Sequence, residues 1–374
     1  MKVWFRRLHL VLALLSGLFL VSLSISGGLL LYAKDIQAWI NPQYWLVEDK
    51  PNPLKKAYLP LSELVERIEN KTQQKVLIIE QASQINHSWQ ARLANKKYLN
   101  INPYTGEILL EHRFYDTFYG FVMSWHRWLL YTDEQGKTPM KVWMSIASLI
   151  LIIEIVFGVY LWLKPKHRLK RLKVRWRAKN RVLLHQLHGT LGVLFALPLI
   201  LIAFTGMTFQ WQAQTKAIVQ WLTLGQVEQH TFKGKVSDSK NNFQLDKAYM
   251  NAKSALADGS VYRIYLPKTD QQPLALRMKM PQESHGYSWS WANPYSGEVL
   301  STFNAGKASW TTQVWNFRYK FHIGEFIGWP VKVLWLLISA SPVFFVFTGI
   351  YLWLKRVKVR QHQQVRENLK RAKR

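Results

Sequence analysis

Four histidines stand where imidazole can bind a metal at the ends of apolar runs. His9 and His188 open two such runs, each behind a leucine; His126 and His322 lie shortly before two others, as Trp125-His126 and Phe321-His322. A neutral imidazole ligates iron, and two imidazoles from different helices complete a six-coordinate b-type haem. The chain has no cysteine, which excludes disulfides, iron–sulfur clusters, thiolate zinc sites, c-type haem attachment and cysteine nucleophiles. The pattern predicts two haem b groups, one held by His9 and His188 near the inner face, the other by His126 and His322 near the outer face. His185, one helical turn before His188, is an alternative inner ligand. Haem propionates prefer cations, and Arg6, Arg7 and Lys164 are candidates inside, with Arg127, Arg318 and Lys320 outside. Gly17, Gly27, Gly189, Gly192 and Gly206 leave room for a porphyrin or for close helix packing.

Other chemistry is thinly represented. Glu154 is the one carboxylate inside an apolar run; it reads either as a proton or quinol site or as a buried structural acid. No catalytic residue is assigned. His126 and His322 alone fall short of the three or four ligands of zinc, and no metalloprotease, Walker or Rossmann motif is present. The six other histidines (His87, His112, His167, His230, His285 and His362) lack the placement of the four and are read as surface residues. Tyr287, Trp289, Trp291, Trp310 and Trp315, with Lys307, Arg318 and Lys320 near them in sequence, form either a docking surface or an ordinary interfacial belt.

The elements that must position these groups follow from hydropathy. Of 374 residues, 49% are hydrophobic, gathered in four runs at about 8–32, 142–163, 187–210 and 331–354; a bilayer crossing takes about 20 residues. The first run follows Lys2, Arg6 and Arg7 like a signal peptide, but it is long, lacks a clear cleavage site and is read as retained. The expected organisation is a first span over 1–33, an outside domain with its pre-span segment over 34–139, a second span over 140–163, a basic loop over 164–186, a third span over 187–210, a second outside domain with its pre-span segment over 211–329, a fourth span over 330–354 and a basic tail over 355–374. The net charge is +28, and most of it lies in segments 1–7, 164–186 and 355–374, on one side of a four-span chain. The positive-inside rule makes that side, with both termini, cytoplasmic in a bacterial inner membrane. The basic balance is thus a topology signal with anionic lipid as its contact, and no nucleic-acid partner is expected.

The chain also repeats itself. Gly158-Val-Tyr-Leu-Trp-Leu-Lys164 returns as Gly349-Ile-Tyr-Leu-Trp-Leu-Lys355, and Asn102-Pro-Tyr-Thr-Gly-Glu107 as Asn293-Pro-Tyr-Ser-Gly-Glu298, both 191 residues later. At a second constant offset, Leu8-His9 matches Leu187-His188 and Ser26-Gly27 matches Thr205-Gly206. The unit is span, outside domain, span, in two parallel copies. Each outside domain reads as small and α+β. Leu61, Leu64, Val65 and Ile68 share one helix face, before strands at 76–80, 89–93, 98–101 and 107–110. Leu245, Tyr249, Ala252 and Leu256 do the same before strands at 261–266, 274–280, 287–291 and 298–303.

These features together (the Leu-His openings with Ser/Thr-Gly at the far ends, the Asn-Pro-Tyr turns, and the Trp-His-Arg-Trp and Phe-His-Ile-Gly segments) resemble the PepSY-associated transmembrane helix proteins over nearly the whole chain. The resemblance implies a membrane α-helical fold of four transmembrane helices in two parallel repeats, with two small α+β PepSY-like periplasmic domains. It also implies an inner-membrane, haem-dependent oxidoreductase that reduces a ferric siderophore, or another periplasmic electron acceptor, for iron uptake. The segments assigned to the cytoplasm are too short for a flavin or nicotinamide domain, so the electron donor is a separate cytoplasmic reductase or a membrane quinol. A PepSY-type regulator or assembly factor and a transporter component are the rival classes, and haem content separates them from the redox reading.

Overall fold

A computed structural model describes residues 2–47, 58–165, 168–228, 231–232, 234–236, 243–281, 283 and 285–372. Expected surface residues His167 and His230 lie outside these. The chain forms helices α1 (Lys2–Leu30), α2 (Ala33–Ile40), α3 (Pro42–Trp45) and α4 (Leu61–Thr72), strands β1 (Val76–Glu80), β2 (Trp89–Leu93), β3 (Tyr98–Ile101) and β4 (Ile108–His112), then α5 (Phe118–Trp128), α6 (Met140–Leu163), α7 (Asn180–Leu194), α8 (Ala196–Met207), α9 (Gln212–Thr223) and α10 (Leu245–Ser254). Strands β5 (Ser260–Tyr265), β6 (Leu274–Lys279), β7 (Ser288–Ala292) and β8 (Val299–Phe303) follow, and α11 (Trp310–His322) and α12 (Trp329–Ala372) close the chain. Contacts divide it into a helical unit (1–31, 123–215 and 321–374) and a sheet unit (32–122 and 216–320).

In the helical unit, α1, α6 and α12 are each long and apolar enough to cross a membrane, and α7 with α8 makes a fourth span if the bent pair is counted as one. The expected straight third span is broken: α7 and α8 meet at 61°. Pro198, in the first turn of α8, has no N–H for the Leu194 carbonyl, and its ring crowds that carbonyl. Pro342 interrupts α12 in the same way, yet that helix continues. The Ser341 hydroxyl donates to the Ile338 carbonyl at 2.7 Å and so occupies the acceptor that the proline leaves unpaired. The basic tail is helical through Ala372, because 355–372 is rich in Lys, Arg and Gln and holds no glycine or proline.

The sheet unit differs from two separate small domains. Its eight antiparallel strands form one sheet in the order β4-β3-β2-β1-β5-β6-β7-β8. The seam is the β1–β5 pair, where Ile79 faces Ile264 and Glu80 faces Arg263. One face is the core. Leu64 and Ile68 of α4, with Ala248 and Ala252 of α10, pack on Ile79, Leu93, Leu99, Ile264, Leu276 and Met278. The Asn-Pro-Tyr turns behave alike. Asn102 Oδ1 accepts the Tyr104 N–H and Asn293 Oδ1 the Tyr295 N–H, each at 2.9 Å. Gly106 and Gly297 then take φ of +72° and +76°, a region that favours glycine.

Strand alternation places Glu80, Gln90, Asn100, Arg263, Arg277 and Trp289 on the opposite face. This face overturns two histidine assignments. His112 is buried rather than exposed: its ring stacks on Tyr98, Nδ1 meets the Arg113 carbonyl at 2.9 Å and Nε2 meets Asn100 Oδ1 at 3.3 Å. His285 is half-buried among tyrosines. His87 is also half-buried, and His362 is exposed on α12 as expected.

Because Ile79 and Ile264 are both fully buried at the seam, Ile79→Ala should cost about 2–5 kcal/mol. Hydrogen exchange in the full chain should quicken in β2 and in β6 alike. Faster exchange confined to β1–β4 would show that the two halves of the sheet open independently.

Candidate functional site

The outer histidines are set by two short helices and pinned by two indoles. His126 lies in the last turn of α5, beside Trp125, whose Nε1–H donates to Ser22 Oγ of α1 at 2.7 Å. His322 ends α11, beside Phe321, whose carbonyl accepts the Trp335 Nε1–H of α12 at 2.7 Å. Gly324 follows with φ +68°, where a Cβ would lie 2.8 Å from Trp335, so only glycine lets the chain turn there. The imidazole centres of His126 and His322 are 6.3 Å apart.

Hydrogen bonds determine which nitrogen of each ring is free. Ser26 Oγ donates to the Ser22 carbonyl at 2.6 Å. Its single proton is spent, so at 3.0 Å from His126 Nδ1 it accepts, and Nδ1 carries the proton. Thr205 Oγ1 likewise donates to the Leu201 carbonyl at 2.8 Å and accepts from His322 Nδ1 at 3.1 Å, with the Ile202 carbonyl as a second acceptor at 3.1 Å. In both rings the lone pair is left on Nε2, the tautomer that ligates metal. Both rings are partly accessible.

The inner pair repeats the arrangement. His9 Nδ1 donates to the Glu154 carbonyl at 3.1 Å. His188 Nδ1 lies 2.7 Å from Thr348 Oγ1, whose own proton goes to the Phe344 carbonyl at 2.7 Å. A glycine receives every ring: a Cβ at Gly27 would lie 3.2 Å from His126, at Gly206 3.1 Å from His322, at Gly158 3.6 Å from His9 and at Gly349 3.9 Å from His188. The other small residues serve packing, with Gly17 against Val346, Gly189 against Trp162 and Gly192 against Phe345. Sequence reasoning missed these anchors as anchors. Gly27 and Gly206 were read as room for a porphyrin or for packing, Ser26, Thr205, Gly158 and Gly349 as parts of repeated motifs, and Thr348 carried no signal.

His185 is exposed and lies in the field of Arg171, Arg181 and Arg356, whereas the anchored ring is that of His188. Glu154 is buried, and the Ser16 hydroxyl lies 3.0 Å from its Oε1. Its backbone carbonyl holds His9, so one residue touches both the ligand pair and a possible proton site. Among the cations, Arg6, Arg7 and Lys164 are exposed, and Lys164 lies over its own helix's Tyr160 ring at 5.5 Å. Arg127 lies 5.7 Å from the Phe209 ring, which packs against His322. Arg318 precedes His322 by one helical turn on α11, and Lys320 is half-buried.

Metal–imidazole bonds of about 2 Å, with about 1 Å more from each nitrogen to its ring centre, place two axial imidazole centres about 6 Å apart. The outer pair fits that spacing, and all four rings fit the donor chemistry. Gly27→Val or Gly206→Val should push the facing ring off its hydroxyl and leave the purified protein with about half the parent's haem by pyridine haemochrome assay. Gly192→Val should retain the parent's amount. Full haem in both of the first two variants would detach the glycines from ligand placement.

No protein of curated function matches the chain. The family model described as PepSY-associated TM region matches residues 6–356, from the first turns of α1 through the span of α12. The chain is therefore a member of the PepSY-associated transmembrane family.

Proposed function

We propose that this protein carries electrons across the bacterial inner membrane on two b haems and reduces ferric siderophores on the periplasmic side. The observation that supports this most is the common state of four imidazoles. Each donates Nδ1–H to a neighbouring span beside a glycine and keeps Nε2 for a ligand. His126 and His322 would hold the outer haem and His9 and His188 the inner one. Haem supplies one-electron transfer between its ferrous and ferric forms when bound. The chain's own groups orient the imidazoles, hold their tautomers and surround them with apolar side chains, which keeps water from competing for the iron.

The two halves are best read as copies of one unit. His9 with Gly158 and His126 with Gly27 belong to the first, and His188 with Gly349 and His322 with Gly206 to the second. Each copy supplies one ligand to each haem. The basic segments at 1–7, 164–186 and 355–374 put both termini and the inner pair on the cytoplasmic side. A cytoplasmic reductase or a quinol then supplies electrons there. Anionic lipid is the expected contact of the basic segments. Arg127 outside, and Arg6, Arg7 and Lys164 inside, are the propionate partners of this reading, while Arg318 is engaged with the ring and carbonyl of Trp315 in the sheet unit. Reduction to Fe(II) weakens hard-oxygen chelation, so one electron releases iron from its chelate without acid–base machinery.

Purified protein should contain two haems per chain. His126→Ala or His322→Ala should remove one and leave the other, and His9→Ala or His188→Ala should do the reverse, as redox titration of the remaining band will show. A colourless protein after haem-supplemented expression would refute the proposal. If His185→Ala loses one haem while His188→Ala keeps both, the inner pair must be reassigned.

Glu154 gives a separate test. It grips His9 through a backbone carbonyl, which Glu154→Gln leaves in place. The variant should keep both haems and its dithionite reduction. Its quinol-driven reduction should fall by about 100-fold, the lower end for loss of a general base. An unchanged quinol rate would make Glu154 structural.

A further inference from the structure

The half-buried face of β5–β7 has more positive charge than it can pair internally. Arg263 is matched by Glu80, with Nε and Nη2 at 2.7 and 2.6 Å from the carboxylate. Arg277, its neighbour in register, is not. Its Nε donates to the Gly286 carbonyl at 2.5 Å, and its guanidinium lies 5.7, 6.0 and 5.8 Å from the rings of Tyr262, Tyr287 and Trp289. The acid within its field is Glu283, whose carboxylate already accepts the Met280 and Tyr287 N–H groups. Arg318 stacks 3.9 Å over Trp315 and gives one Nη to the Trp315 carbonyl. Among the described residues its Nε is buried without a partner, and so is the Tyr287 hydroxyl.

Unpaired buried donors of this kind are costly and call for an acceptor. The surroundings specify which kind. His285 packs on Tyr262, Tyr287 and Tyr319 at 4.9, 5.5 and 4.6 Å. Burial, and after it Arg277, Arg263, Lys34 and Lys279, push its pKa down to about 3, so it stays neutral in a strongly positive field. Trp289 and Trp291 stack in parallel, 5.7 Å apart. The cations present guanidinium faces to rings, and the unsatisfied hydrogen-bonding positions, both buried, are a phenol and one guanidinium edge. That combination favours a flat ring bearing anionic oxygens over a compact tetrahedral anion.

We propose that Arg277, Arg318 and Tyr287 form a binding site for an aromatic oxyanion of the catecholate class. On the ferric-reductase reading above, on which only the identity of the natural ligand rests, this makes the substrate a catecholate-bearing iron chelate. The site itself belongs to the sheet unit and does not require haem.

The test is calorimetric titration of the full-length protein in detergent with 2,3-dihydroxybenzoate and, separately, with inorganic phosphate. The dihydroxybenzoate should bind at one site. Arg277→Gln and Arg318→Gln should each weaken it about tenfold, and Tyr287→Phe, which removes only the hydroxyl, several-fold. Arg92→Gln, on the same face but over Tyr98 in the other half, should bind as the parent does. Phosphate binding as tightly as the aromatic acid would overturn the proposal, as would parental affinity in the Arg277, Arg318 and Tyr287 variants, or no binding at all. Should the arginine variants not fold, Tyr287→Phe decides. Binding by a chain that carries no haem would uphold this site and remove the redox reading, so the two fail separately.

Discussion

The constraint on which the helical unit depends is the proton on Nδ1 of four histidines. A free imidazole exchanges between two tautomers, and a ligand must have its lone pair on the nitrogen that faces the metal. Here each Nδ1 proton is claimed by a carbonyl, or by a hydroxyl whose own proton is already committed to its helix. The serine and threonines act as relays. Each turns a helix carbonyl that has no spare geometry for the ring into an acceptor aimed at it. Alanine at Thr348 would leave the helix intact and take away the hydroxyl that holds His188, whereas His322 keeps the Ile202 carbonyl when Thr205 is lost.

Glycine is the second half of the same device. A ring that donates to a group on a neighbouring helix must lie against that helix, and a side chain beside the acceptor would hold it away. Where the approach is tightest, at Gly27 and Gly206, even one Cβ would stand about 3 Å from the imidazole. Both anchors of the first half sit on α1, with His9 near its start and Ser26-Gly27 near its end. At 1.5 Å per residue they are about 25 Å apart along the axis, close to the hydrocarbon thickness of about 30 Å. One straight helix thus sets the distance between His9 and the hydroxyl that holds His126.

Some of this was legible in the residues. The two helix stripes and the strands follow from periodicity, and the strands fall within two residues of their expected places, as at 76–80, 89–93 and 98–101, whereas the helices that carry the apolar runs extend beyond them, to Ala372 in α12. The nearness of His126 and His322, 6.3 Å between ring centres, was legible because each stands before an apolar run in a similar context. The joining of eight strands into one sheet was not, since nothing local marks Ile79 and Ile264 as partners across about 185 residues of chain. Nor was the burial of His112 and His285. They were read as surface residues because they stand away from the apolar runs, while the rings of Tyr98 at His112 and of Tyr262, Tyr287 and Tyr319 at His285 in fact cover them. The third span was taken as straight because hydropathy is blind to a missing N–H, although Pro198 was in plain view.

That proline also bears on how far the two halves can be alike. In α1, Leu8-His9 and Ser26-Gly27 are joined by uninterrupted helix. In the second half, the equivalent His188 and Thr205-Gly206 lie on either side of the 61° bend at Phe195. A bent path is shorter than a straight one of equal residue count. The second half must therefore reach the same two depths with its anchors tilted or displaced relative to the first. The tighter hydroxyl contact of His188, 2.7 Å against 3.1 Å for the carbonyl contact of His9, and the extra carbonyl acceptor of His322 lie on the broken side. Each half thus uses both kinds of acceptor, a hydroxyl and a backbone carbonyl, to hold its imidazoles. The two halves hold their imidazoles by the same kind of hydrogen bond on helices of different shape.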